Sequence, residues 1–208
     1  YAASWTTTDM RDGAALVGST ETNICRIAGA QLARFYGVPS HATAPNSDNH
    51  AHDEQNAWEK TLTTFTGVGA GIHLLVNCGM FATGMTCSHE QLIMDEEISA
   101  MCLRIARGIR VDEETIAKET IIGLGPGRPE YLTADHTLRW LRSDEYLPPR
   151  VSVRGPRAAW EAAGCKDTYQ LARERARELA QSGGSPLAHD RRQRLAEIIQ
   201  DFERELAA

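Results

Sequence analysis

The stretch IHLLVN (72–77) decides how this chain is to be read. It is apolar without polar alternation and too short for a helix, which suits a strand buried on both faces of a parallel sheet. A polar loop, CGMFATGMTCSHE (78–90), follows, and then a helical pattern with Met94, Ile98, Met101 and Ile105 on one stripe. The same order stands twice upstream. PSHATA (39–44) leads through the loop around SDNHAHDE (47–54) to a helix with Trp58, Leu62, Phe65 and Gly69 on one side. YAAS (1–4) leads through WTTTDMRDG (5–13) to a helix over about Thr20–Tyr36, with Ile24, Ile27, Ala28, Gln31 and Phe35 on one side and Ser19 or Thr20 as its cap.

Strand starts recur at about 35 residues, the size of a βαβ unit. The sequence therefore predicts an α/β chain with about three βα units over residues 1–110, followed by a helical extension over 111–208. In that extension 112–122, 135–142, 158–164, 168–181 and 191–206 read as helices, and GLGPGRP (123–129), LPPR (147–150) and SGGSP (182–186) read as turns. GLGPGRP follows a helix and lacks the Lys-Ser/Thr ending of a phosphate loop, so it reads as a helix terminator. Three parallel strands cannot close a barrel. The chain also opens without Met, apparently inside a strand, so the expectation is a fragment whose sheet is completed by upstream chain or by another subunit.

The 208 residues are 42% hydrophobic and 24% charged, ordinary for a globular protein, with a formal charge of −6. Arginine runs such as LARERAREL (171–179) are interleaved with glutamate, so nucleic acid is not expected as a partner. No apolar run is long enough to span a membrane and no signal peptide heads the chain, which points to a soluble cytoplasmic protein. Five scattered cysteines without a CxxC pair argue for reduced thiols rather than a disulfide framework or a zinc ribbon.

Ligand sites of parallel α/β folds lie beyond the carboxyl ends of the strands, which makes all three polar loops candidates. The first offers Trp5, threonine hydroxyls, Asp9 and Arg11; its alternative is an internal Asp9–Arg11 turn. The second carries Asp48, His50, His52 and Asp53. Two histidines with a carboxylate could ligate zinc in a metal-dependent hydrolase, yet HxH alone is a weak pattern, and Asp53 and Glu54 fall where a helix start favours carboxylates. His50, furthest from the helix, is freest to act. The third combines Cys78, Cys87 and His89 in no common zinc spacing, with flexible apolar side chains beside glycine that suit a large hydrophobic ligand or partner. Ser88 and His89 start the next helix, and His136 reads as structural.

At these loops the sequence resembles a known family. YAASWTTTDMRDG is similar to the strand and D-[ML]-R-x-G loop of the trimethylamine methyltransferase family. GSTETNICRIAGAQLARFYGVPS, SDNHAHDEQNAWEKTL, SHEQLIMDEEISAMCLRIARGIRVDEETIA and GLGPGRPEYLTADHTLRWLR follow in the family's order. The resemblance implies the C-terminal part of a TIM (β/α)8 barrel and an enzyme that passes a methyl group from a tertiary or quaternary amine to the cobalt of a separate corrinoid protein. It implies no directly bound cofactor or metal, cobalamin on the partner, and a homo-oligomer. Founding members carry pyrrolysine in the stretch matching Asp48–His50, where this chain has ordinary residues, which points to the non-pyrrolysine branch and betaine-like substrates. The roles it implies are Asp48, Asn49 and His50 as catalytic, Trp5, Asp9, Arg11, Gln55 and Phe81 as substrate-binding, and Gly79, Met80 and Met85 as corrinoid-facing. Within that set Trp5 and Phe81 would cage the ammonium, while His50 with Arg11 or Asn49 would hold a substrate carboxylate. A non-catalytic assembly domain is the further alternative.

Overall fold

The computed structural model describes residues 1–183 and 187–206, and the chain divides into two compact units, Tyr1–Arg175 and Ala176–Ala208. The first unit opens with a parallel ladder. Ala3 N donates to His41 O (2.8 Å) and His41 N to Tyr1 O (3.0 Å), with a single bridge at Ala2. A hairpin of β1 (Thr7–Thr8) and β2 (Ala15–Leu16) follows inside the first loop, then α1 (Thr20–Phe35). Next come β3 (His41–Thr43) and α2 (Glu54–Gly69), and then β4 (Leu74–Val76), paired in parallel with β3 through Ala42 and Leu75. A second hairpin, β5 (Met80–Phe81) with β6 (Thr86–Cys87), occupies the third loop before α3 (His89–Arg107). The α/β order is the expected one, and the two hairpins within the loops are additions that the turn residues did not reveal.

The helices after Arg107 lie close to the segments read as helical, with one exception. The expected helix 112–122 is broken at Ala117, whose φ of 53° separates α4 (Glu113–Ile116) from α5 (Lys118–Leu124). The remaining helices are α6 (Asp135–Leu141), α7 (Arg157–Ala162), α8 (Thr168–Ser182) and α9 (His189–Leu206), with a 3-10 turn at Pro129–Leu132. Gly125, at φ 73°, ends α5 by donating its N–H to Ile121 O, so GLGPGRP does terminate a helix. Of SGGSP, residues 184–186 lie outside the described residues. Among the described residues no helix is long and apolar enough to cross a membrane.

The expected apolar stripes of α1 and α2 have the right period and face away from the sheet. Ile24, Ile27 and Phe35 are exposed, Phe35 by 81%, and so are Trp58, Leu62 and Phe65. The sheet side of α1 is Thr22, Asn23, Arg26, Gly29, Ala30 and Ala33; that of α2 is Asn56, Lys60, Thr63, Thr64 and Gly67. Close approach is one reason. A Cβ on Gly29 would fall 2.8 Å from Ala3 Cβ, and one on Gly67 would fall 2.8 Å from Leu75 Cδ2, so bulky residues cannot occupy these lanes. The core they seal is correspondingly small: Ala3, Ala30, Ala42 and Ile72.

The strand ends supply the other reason. β3 and β4 are three residues long, so the backbone beyond them needs side-chain partners. Arg26 Nη2 donates to Thr43 O (2.9 Å), Asn46 N donates to Thr63 Oγ1 (2.9 Å), and Lys60 Nζ reaches Pro45 O (3.4 Å) and Met80 O (2.6 Å). Lys60 also pairs with Asp95 of α3 at 2.9 Å, both side chains fully buried. Asp95 accepts further from Gly79 N (2.7 Å) and Gln91 Nε2 (2.8 Å). Burial lowers the Lys60 pKa and raises that of Asp95, each towards its neutral form, while their mutual attraction opposes both shifts.

Removing one member of such a pair strands the other charge. Lys60→Met should therefore destabilise the chain by about 3–5 kcal/mol in a denaturant titration. Lys60→Met combined with Asp95→Leu should recover a large part of that loss; a double variant as unstable as the sum of the singles would contradict the pairing.

Candidate functional site

The rim at the carboxyl ends of β3 and β4 is built by carboxylates that hold backbone. Asp48 Oδ1 accepts from Val17 N (2.8 Å) and from Thr83 Oγ1 (3.1 Å), and its Oδ2 accepts from Gly18 N (2.9 Å). It thereby ties the first and third loops to the second. Glu59 Oε2, one turn inside α2, accepts from Ser47 Oγ and Asp48 N, both at 2.8 Å, and its Oε1 accepts from Gln55 Nε2 (2.9 Å). Gly18 packs closely against this carboxylate: a Cβ there would stand 2.7 Å from Glu59 Oε2, so any side chain would require Glu59 to shift. Two backbone bonds close the seam between the second and third loops: Thr83 N to Ser47 O (3.0 Å) and Ala82 N to Asn49 O (2.9 Å). Ala82 and Thr83 adopt positive φ angles of 52° and 56°, which turns both N–H groups towards that seam.

Asn49 and Asp53 form the start of α2. Asp53 is the N-cap, accepting from Gln55 N (2.9 Å) and Asn56 N (3.3 Å), and the Asn49 amide donates to the same carboxylate. The Asn49 amide and these backbone donors hold the Asp53 pKa below its usual 3.8. Ser88 caps α3 in the same way, its Oγ accepting from Gln91 N (3.0 Å). His50, between these fixed neighbours, is exposed and makes no hydrogen bond or ring contact among the described residues.

His52 takes a different path. Its Nδ1 lies 2.8 Å from Gln91 Oε1, and its ring stacks on Tyr169 at 4.8 Å and meets Phe81 at 4.6 Å. Gln91 gives its amide N–H to Asp95, so its oxygen is the atom facing His52 and the imidazole must donate from Nδ1. The chain of contacts from Lys60 through Asp95 and Gln91 to His52 is continuous. A cavity of about 470 Å³ opens beside it, lined by His52, Gln91, Met94, Met101, Val151 and Tyr169, among others. Tyr169, Gln91, Lys60 and Asp95 were not singled out by the sequence.

The tip of the first loop stands apart from this frame. Asp9 and Arg11 pair at 2.6 Å at the tip of the β1–β2 hairpin, an internal turn, and Arg11 holds the Asp9 carboxyl down to about 2. Trp5 is 48% exposed, and its Nε1 lies close to Gly29 of α1. Phe81 is buried against His52 and makes no ring contact with Trp5. In the third loop Gly79 is buried with its N–H on Asp95, Met80 gives its carbonyl to Lys60, and Met85 is 86% exposed. Among the described residues no three His, Cys, Asp or Glu side chains stand together as a metal-ligand set; of the HxHD residues, His52 and Asp53 are engaged as above.

The family model for trimethylamine methyltransferase (MTTB) matches residues 1–207. This chain belongs to the trimethylamine methyltransferase family. A relative from Methanosarcina barkeri, named trimethylamine methyltransferase MttB, is 37% identical over 179 residues, 86% of this chain and 36% of that protein. One of the same name from Desulfitobacterium hafniense (strain DSM 10664 / DCB-2) is 32% identical over 206 residues, 99% of this chain and 41% of its own length. A glycine betaine methyltransferase from Desulfitobacterium hafniense (strain Y51) is 34% identical over 161 residues, covering 77% of this chain and 33% of that relative. The chain thus spans well under half the length of these family members.

Two outcomes test the rim. Asp48→Ala should free the Val17 and Gly18 amides, visible as lost hydrogen-exchange protection at those two positions, with a stability loss of about 3 kcal/mol. Because the Asp53 pKa is depressed in the folded chain, its cap contributes fully above 3.8 and is lost as pH falls through the lower, folded value. Asp53→Asn should flatten that acid dependence of the melting temperature, and an unchanged acid limb would show that the cap carries no charge effect.

Proposed function

We propose that the protein carrying this chain moves a methyl group from a quaternary or tertiary amine, of the betaine type, to the Co(I) of a separate corrinoid protein. The observation that carries this reading is the family match along the whole chain, with a glycine betaine methyltransferase among the relatives. The parallel strands and their helices are read as the C-terminal part of a TIM barrel, whose chemistry belongs at the rim described above. The absence of a CxxC pair and the five unpaired cysteines suit the reducing cytoplasm.

A quaternary ammonium has no proton to remove, so the protein's task is to desolvate it, hold it against aromatic faces and aim one methyl group. Trp5 supplies a half-exposed ring for that cation. His50 and Asn49 are the donors assigned to a substrate carboxylate, with Arg11 reaching from the first hairpin. Asp48 is assigned the positioning of His50 through the clamp on all three loops, and Gln55 that of the Glu59 carboxylate. The corrinoid supplies a strongly nucleophilic cobalt, and Gly79, Met80 and Met85 are assigned to the surface that receives its carrier protein, with Met85 the outward side chain.

The test is methyl transfer from a panel of trimethylamine, glycine betaine and longer betaines to a reduced corrinoid protein, followed by loss of the Co(I) absorbance in the complete polypeptide. Transfer from at least one betaine is expected, and His50→Ala should lower kcat/KM for it at least tenfold, about 1.4 kcal/mol. No transfer from any amine would overturn the reading, while full activity of the His50→Ala variant would remove only that residue's role.

A further inference from the structure

The cavity of about 470 Å³ bounded by α2, α3 and the segments carrying Val151 and Tyr169 takes no part in the proposed methyl transfer. All of its lining belongs to the first unit, and its volume is that of a small-molecule site. Met94, Ile98 and Met101 of α3 make its lining apolar, and Tyr169, stacked on His52, adds an aromatic ring. The charged part of the lining has one sign. Asp53, Glu54, Glu97 and Asp167 contribute to it, no lysine or arginine does, and among the described residues none of these four carboxylates is paired with a cation.

Two buried side chains in this lining have unmet demands. Asp53 and Asp167 accept backbone N–H groups at the starts of α2 and α8, and Glu54 is exposed to water. Glu97 is only 7% exposed, and its hydrogen-bond partner is a single backbone N–H, that of Arg150 at 2.9 Å. A carboxylate withdrawn from water this far calls for an opposite charge. Asn56 is 3% exposed, and its Nδ2 has no hydrogen-bond partner. A buried donor without an acceptor is costly, and an oxygen on a ligand removes that cost. Because the surrounding carboxylates repel a further one, that oxygen has to be uncharged, as in a hydroxyl.

We propose that this cavity binds a small alkylammonium alcohol, whose charge meets Glu97 and the neighbouring carboxylates, whose alkyl groups meet the methionines and whose oxygen meets Asn56. The proposal does not rest on methyl transfer. Neither His50 nor Trp5 lines the cavity, and binding is measured with no corrinoid protein present.

Calorimetric titration of the complete polypeptide with choline tests it, beside glycine betaine and neohexanol, the uncharged carbon counterpart of choline. Choline should bind saturably, and each of the other two at least about tenfold more weakly. Asn56→Leu should weaken choline binding at least about tenfold while leaving the melting temperature of the free protein at or above the wild-type value, because it replaces an unpartnered amide by an apolar group of similar size. Glu97→Gln keeps an acceptor for Arg150, removes the charge and should weaken choline binding to a similar degree. Absence of saturable choline binding, equal affinity for neohexanol, or unchanged choline affinity in Glu97→Gln would overturn the proposal. So would choline binding that survives Asn56→Leu and is lost in His50→Ala, since that result puts the ammonium at the rim.

Discussion

The buried ion pair of Lys60 and Asp95 is the constraint on which the first unit depends. An ammonium and a carboxylate that are both removed from water must satisfy their remaining donors and acceptors inside the protein. Here they do so with backbone: Lys60 takes carbonyls from Pro45 and Met80, while Asp95 takes the N–H of Gly79. One pair therefore fixes α2 to α3 and, in the same step, fixes the exits of β3 and β4. A wholly apolar contact could join the helices, but it could not orient these backbone groups.

From that base the order spreads outward by hydrogen bonds. Gln91 links Asp95 to His52, and His52 lies between Phe81 and Tyr169, so a residue far along the chain is held by an imidazole whose tautomer is set in the interior. A second set of bonds, centred on Asp48 and Glu59, gathers the first and third loops onto the second. The two sets overlap at the β5–β6 hairpin, where Met80 belongs to one and Thr83 to the other. That overlap anchors a loop with several positive φ angles from two sides.

Local chemistry was legible in the sequence, and directions were not. Ser19, Asp53 and Ser88 read correctly as the polar starts of α1, α2 and α3, because capping needs only the residue and its own backbone neighbours. The helical stripes also had the right period. Which side of α1 and α2 faces the sheet was not legible, because periodicity identifies an apolar face without saying whether a sheet of alanines can accept it. Lys60 and Asp95 were invisible for a related reason: each looks like an ordinary surface charge until the other is placed opposite. The Asp9–Arg11 pair, two residues apart, was within reach of sequence reasoning, whereas Tyr169 on His52 joins segments that no local pattern connects.

The contrast among the residues of the second loop bears on chemistry. The Asp48 and Asp53 carboxylates hold backbone, Asn49 gives one amide N–H to Asp53, and His52 uses its Nδ1 on Gln91, so each keeps less bonding capacity for a ligand than His50. Among the described residues His50 has both ring nitrogens uncommitted, yet the backbone on either side of it is pinned, by Asn49 before and by the α2 cap after. An imidazole on a fixed backbone keeps its position with few degrees of freedom to lose on binding, the condition under which a single donor can orient a small cation-bearing substrate. The carboxylates of this loop thus make the frame, and the frame is what gives the His50 side chain a defined place.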